Sequence, residues 1–185
     1  GEILMDGKPV NIESPKKALK LGLAYVSEDR KVNGLVLGLN VKENISLSSL
    51  KEFEGLFGII DSPREEKITN EYIRSMAIKT SSPRQLIKNL SGGNQQKVSM
   101  SKSLMTKPRV LILDEPTRGV DVGAKKEIYE IINRFKKEGM SIIMISSEIS
   151  EILGMSDRIM VMHEGRITGF VNGKEANQET IMRLA

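Results

Sequence analysis

The chain has no cysteine, no tryptophan and a single histidine in 185 residues. Without thiols there is no disulfide and no thiolate metal site. One imidazole, His163, excludes a multi-histidine zinc centre. Aromatic residues make up only 4%, which leaves little for stacking nucleic-acid bases. No apolar run approaches the roughly 20 residues that cross a bilayer as a helix. No block of one charge sign occurs either. The net charge is +4, but basic and acidic residues alternate, as in Arg64-Glu65-Glu66-Lys67. That pattern predicts a mixed solvated surface and no nucleic-acid partner.

What is present suits a globular chain of one domain with a lobe attached: 39% hydrophobic and 28% charged residues, with enough length for a sizeable core. Gly1-Glu2-Ile3-Leu4 leads straight into a turn signal at Asp6-Gly7, which is no secretion leader. With no methionine at its start, the chain reads as a piece of something longer. The pattern to Val26 predicts two strands around a short helix that starts at Ser14-Pro15 and stops at Gly22. From about Val32 to Thr80 the pattern is helical. Ser62-Pro63-Arg64-Glu65 has the form of a capping box, and Ser82-Pro83-Arg84-Gln85 repeats the start signal. After Leu90, helices and strands alternate. Residues 109–114 and 141–146 are apolar runs expected as strands buried on both faces. Ile128, Ile131, Ile132 and Phe135 mark an amphipathic helix. Arg158 to Phe170 reads as a hairpin turning at Glu164-Gly165, which places His163 beside a surface turn. The fold class is α/β, with a mainly parallel sheet flanked by helices.

Two stretches carry chemistry. In Leu90-Ser91-Gly92-Gly93-Asn94-Gln95-Gln96-Lys97, Ser91 is an N-cap and two glycines permit close backbone approach. Exposed amides, a hydroxyl and a helix N-terminus form an anion site. In Val110-Leu111-Ile112-Leu113-Asp114-Glu115-Pro116-Thr117, an apolar strand ends in two carboxylates, at the edge where parallel sheets bind ligands. Asp114 suits magnesium, held through water, and Glu115 suits a water-polarising base. Alone, either stretch also fits a capped helix or a solvated pair of acids.

Together and in this order they resemble the signature and Walker B motifs of the ABC ATPases, and Gly119-Val120-Asp121 resembles that family's D-loop. Ser27-Glu28-Asp29-Arg30-Lys31, Gly34-Leu35-Val36-Leu37-Gly38, Val41-Lys42-Glu43-Asn44-Ile45 and the Asn94-Gln95-Gln96-Lys97 extension are similar to the tandem importers of ribose, galactose and xylose. The resemblance implies a truncated nucleotide-binding domain, the C-terminal part of the second of two in one polypeptide. Residues 1–31 would hold N-terminal antiparallel strands and the Q-loop part, residues 32–89 an inserted helical lobe, and residues 90–185 the rest of the core. It implies ATP and Mg2+ as cofactors. Asp114, Glu115 and Ser147 would take catalytic positions, with Asp114 and Glu28 at the metal. Ser91, Gly92, Gly93, Gln95, Glu28 and Asp121 would lie at nucleotide.

Three departures from the family pattern matter. No Gly-x-x-x-x-Gly-Lys-Ser/Thr occurs, and this phosphate loop is expected shortly before Gly1, with a strand and helix beside it. The chain alone is therefore expected to bind ATP weakly or not at all and to expose apolar edges. Glu28 stands where a glutamine is usual, and Ser147 where a switch histidine is usual. A site built on these residues is expected to be slow or inactive, whereas the signature is intact. Because ABC domains pair head to tail, Ser91, Gly92 and Gly93 would serve ATP held by the first ATPase domain. The other implied partners are membrane permease subunits, met near Arg30 to Asn44 and the lobe, and indirectly a periplasmic or extracellular sugar-binding protein. The implied location is the cytoplasmic face of the membrane. Two alternatives are a non-hydrolysing module that supplies only its signature surface, and an importer ATPase for nucleosides or signalling sugars.

Overall fold

A computed structural model describes residues 1–185. Strands β1 (Ile3–Met5) and β2 (Lys8–Val10) form the expected hairpin. Asp6 and Gly7 turn it in the left-handed region, where glycine is unstrained. Helix α1 (Pro15–Lys20) starts at Ser14, whose Oγ accepts from Lys17 N–H. Strand β3 (Leu23–Val26) follows.

A parallel sheet carries the site. β4 (Val110–Asp114) lies between β3 and β5 (Ser141–Ile145), with Ala24 beside Leu111 and Leu111 beside Ile142. This register points Ala24, Val26, Leu111, Leu113, Ile142 and Met144 to one face. Helix α4 (Gly92–Leu104) and helix α5 (Val122–Lys137) contact the sheet, and these side chains join one core with Val98, Met100, Ile128 and Ile132. The opposite face corrects the expectation of strands buried on both sides. Tyr25, Ile143 and Ile145 are 54%, 52% and 48% exposed, because no element of this chain packs over them.

The segment between β3 and α4 is helical, as its pattern predicts. Helix α2 (Val41–Ser46) has a complete capping box between Asn40 and Glu43, and helix α3 (Ser62–Ser75) crosses it. Val41, Ile45, Phe53, Met76 and Ile78 join the same core as the sheet. Two start signals are corrected. The N-cap of α3 is Asp61, whose carboxylate accepts from Arg64 N–H at 3.0 Å. Glu65 turns inward to pair with Lys42 and accept from Ser46 Oγ, so it cannot close a box at Ser62. No α-helix starts at Ser82. The Gln85 side chain accepts from Thr80 and Ser81, while the Pro83 and Gln85 carbonyls accept from the first amides of α2. These bonds keep residues 82–86 out of a helix.

Lys97 pins this segment to the sheet layer. Its ammonium, 1% exposed, donates to Ala77 O at 2.9 Å and pairs with Glu127 of α5. Helix α6 (Ile149–Met155), strands β6 (Arg158–His163) and β7 (Arg166–Asn172), and helix α7 (Gln178–Leu184) complete the chain around a second small core of Ile159, Val161, Val171 and Ile181. The hairpin turns at Glu164-Gly165 as predicted, with His163 exposed beside it.

Candidate functional site

β4 ends in the two carboxylates. Asp114 Oδ2 accepts a 2.6 Å hydrogen bond from Tyr25 OH across the sheet. This bond, with a smaller contribution from burial, pushes the phenol above its ordinary pKa. Glu115 has φ +45°, a strained conformation for a residue with a Cβ and one that concentrates at functional sites. It is held on both sides: Glu115 N–H donates to Ile145 O at 2.9 Å, and its carboxylate accepts from Ser147 N–H at 2.7 Å. At Ser147, then, it is the backbone amide and not the side chain that holds Glu115.

Glu28, Glu115 and Ser147 line one cavity of about 590 Å³, together with Thr117, Arg118, Lys125 and Glu148. Its cations are already engaged: Arg118 pairs with Glu28, and Lys125 with Glu148 at 2.5 Å. Glu28, expected at a metal, is thus occupied by a guanidinium. Carboxylate oxygens suit magnesium, but no three metal-ligating side chains converge anywhere in the chain. These residues alone do not fit a magnesium–triphosphate complex.

Beneath the cavity lies a polar cluster that sequence reading missed. Glu151, 3% exposed on α6, accepts from Thr117 Oγ1, from Tyr129 OH at 2.6 Å and from Ser146 Oγ at 2.7 Å. Lys125 Nζ lies 3.8 Å away. Burial opposes the charge, but the three hydroxyls and the ammonium together hold the Glu151 carboxyl below its ordinary pKa. The cluster ties the ends of β4 and β5 to α5 and α6, so it fixes where Glu115 and Ser147 stand. Nothing local in the sequence marks it, because apart from the Ser146–Glu151 contact its hydrogen bonds span 22 or more residues of chain.

Burial, and secondarily the bond to Glu151, pushes Tyr129 up to about 12. A folded pKa raised above the unfolded value of about 10 means that neutral Tyr129 stabilises the fold below pH 10, and that this contribution is lost as pH rises toward 12. Thermal unfolding should therefore show stability falling over that interval, with a shallower fall in Tyr129→Phe. Equal slopes in the two proteins would contradict this placement.

The glycine-rich stretch makes a separate surface. Ser91 is the exposed N-cap of α4, yet its hydroxyl accepts no backbone amide. Asn94 Nδ2 donates to Ser91 Oγ at 2.9 Å, and Asn94 Oδ1 accepts from Lys79 N–H. The Ser91 hydroxyl proton and the first-turn amides of α4 are consequently left without a side-chain cap. Gln95, expected at nucleotide, is buried instead: its Nε2 donates to the carbonyls of Ile87 and Leu90 at 3.2 Å. It shapes the turn that presents Ser91. Asp121 likewise spends its carboxylate on an N-cap, accepting from Ala124 N–H at 3.0 Å. Gly92 and Gly93 are required by close approach. A Cβ at Gly92 would lie 2.9 Å from Gly119 O, and one at Gly93 would lie 2.5 Å from Ala124 Cβ. Gly93→Ala is expected to cost about 2 kcal/mol of stability through overpacking, measurable by urea unfolding; a neutral effect would mean that α4 and α5 can separate freely.

Comparisons with known proteins bear on the family and the fold. The ABC transporter family profile matches residues 1–118. Over all 185 residues the chain is 56% identical to the ribose import ATP-binding protein RbsA of Clostridium perfringens (strain 13 / Type A), and 52% identical to that of Clostridium tetani (strain Massachusetts / E88). It spans 37% of the length of each. Among solved structures, it is similar to cbiO1 from Clostridium perfringens, part of the ABC transporter complex cbiONQ. There the TM-score is 0.76 at 28% identity, covering 98% of this chain and 70% of the other. The dimeric post-hydrolysis ATP-binding cassette MJ0796 bound to ADP and Pi also has a TM-score of 0.76, over 93% of this chain and 73% of the other. At 19% identity, that likeness speaks to fold alone. With its parallel sheet flanked by helices and its antiparallel strands, the chain belongs to the ABC transporter family.

Proposed function

We propose that this chain is part of an ATP-hydrolysing subunit that energises import of a monosaccharide, with ribose the first candidate. The observation that carries the reading is the uncapped start of α4: Ser91 is exposed and Gly92 half-exposed beside Gly119, with the Ser91 hydroxyl proton and the first-turn amides free of any side-chain cap. Such donors stabilise developing phosphate charge when a partner closes over them. The cargo class rests on the names of relatives 52–56% identical over the whole chain.

In this reading residues 1–31 and 90–185 belong to the ATPase core and residues 32–89 to its helical lobe. The surface at Ser91 meets ATP bound by the first ATPase domain of the same polypeptide, paired head to tail. The site at Asp114 and Glu115 is the weaker of the two: Glu28 and Ser147 replace the usual glutamine and histidine, and the cavity's cations are neutralised by Glu28 and Glu148. The chain by itself binds Mg-ATP poorly. Closure of the pair drives membrane permease subunits, to which a sugar-binding protein delivers cargo, and the subunit sits on the cytoplasmic face of the membrane. No helix of this chain is long and apolar enough to cross a membrane. The neutralised cavity also favours a second reading, a non-hydrolysing module that acts through its signature surface alone.

The test is reconstitution of the full-length protein with permease subunits and sugar-binding protein in proteoliposomes. Ribose should raise ATP turnover and be accumulated in an ATP-dependent way. Stimulation by another sugar alone would replace the cargo. Turnover indifferent to every sugar would sink the importer reading.

A further inference from the structure

Arg30 belongs to neither surface and touches both. It opens a five-residue π-helical turn, Arg30–Gly34, whose N-cap Asp29 accepts from the amides of Lys31 and Val32. The turn is fastened to α4, because Lys102 Nζ donates to Gly34 O at 2.9 Å. From this anchored base the Arg30 guanidinium reaches 88 residues along the chain. Nη1 donates to Arg118 O at 2.8 Å, and Nη2 donates to Gly119 O at 3.1 Å. The same Nη2 lies against the start of α4, where a Cβ at Gly92 would approach it to 2.8 Å.

The arrangement is not one that stability alone favours. Arg30 Nε is buried with no partner, and Arg30 forms none of the chain's ion pairs. A part-buried cation without a counter-ion carries a desolvation cost. What it provides is geometric. Two N–H donors on a planar fork hold two successive carbonyls in one fixed geometry, which an ammonium, with its donors on one freely turning nitrogen, does not impose.

We infer that Arg30 is a positioning residue that clamps the Arg118–Gly119 backbone to the start of α4, so that residues 29–34, the D-loop and the signature glycines move as one body. The role rests on the reading that Ser91, Gly92 and Gly93 act on a nucleotide. A displacement of residues 29–34 by anything that binds them is then passed directly to Gly92, without any change in the residues that touch phosphate. The unpaired charge also lies on the side of α4 where an anion is expected.

The test uses the full-length protein with its permease subunits in proteoliposomes. Arg30→Ala should lower kcat for ATP about tenfold while KM changes less than about twofold, because misplacement rather than lost contact is responsible. Arg30→Lys, which keeps the charge and loses the fork, should recover no more than about threefold of that loss. In the folded Arg30→Lys protein, hydrogen exchange at the Val120 amide should speed up about tenfold relative to the unsubstituted protein. Full activity in Arg30→Lys, or unchanged exchange at Val120, would overturn the clamp. So would failure of Arg30→Lys to fold, which would make Arg30 a stability element. Ser91→Arg serves as the control. If it leaves turnover intact, the reading of the signature surface falls and the exchange result alone judges the clamp.

Discussion

In the full-length protein, Ser91→Arg is expected to lower ATP turnover about a hundredfold, the scale on which losing a preorganised donor to a developing anion is felt. Ser91 is exposed at the N-cap of α4; its Oγ accepts from Asn94 Nδ2, and its own proton is donated to no acceptor. A guanidinium there removes the donor and fills the space above Gly92. The companion substitution Glu115→Gln is expected to cost only about threefold, since a carboxylate that is not the base of the active site contributes little to the barrier. The contrast is diagnostic. If Glu115→Gln proves the more damaging, the two sites are not unequal in the sense proposed, and the catalytic base lies on this chain.

Glu151→Ala is expected to produce the largest loss of stability, about 3 kcal/mol, the scale for removing one partner from a buried charged network. The substitution deprives Thr117, Tyr129 and Ser146 of their common acceptor and leaves Lys125 with Glu148 as its remaining carboxylate partner. For a domain of this size that corresponds to a melting temperature lower by roughly 6–12 °C. Glu151→Gln keeps an oxygen acceptor and should lose about half as much. Urea unfolding measures both. A loss below about 1 kcal/mol for Glu151→Ala would mean that water replaces the carboxylate without strain, and that the cluster does not set the position of Glu115. Because the folded pKa of Glu151 lies below its unfolded value, its contribution is present above the ordinary carboxylate range and is lost as pH falls through the folded value.

These residues show where sequence reading succeeds and where it stops. The strands at 110–114 and 141–145, the helix through Phe135 and the turn at Glu164-Gly165 were legible because period and turn chemistry are local. The contacts of Gly92 and Gly93 were implied by residue type alone. Ser82-Pro83 misled because a local start signal competes with acceptors from elsewhere: the Pro83 and Gln85 carbonyls cap α2 instead. The apolar runs at 109–114 and 141–146 predicted strands buried on both faces, yet Ile143 and Ile145 are half-exposed, since periodicity reports the strand and not its neighbours. Gln95 stands in a stretch expected to bind phosphate, but its position on α4 points it inward. Glu151 and Arg30 act across 22–89 residues of chain, a distance over which no motif spacing carries information.

In the proposed function this chain offers its glycine-rich surface to a nucleotide held elsewhere, while its own carboxylates hold none. Calorimetric titration of Mg-ATP into the 185-residue chain tests it most directly. No saturable heat corresponding to a Kd tighter than about 100 μM is expected. Binding in the low micromolar range would contradict it and would show that residues around Asp114 and Glu115 hold the triphosphate without a phosphate loop.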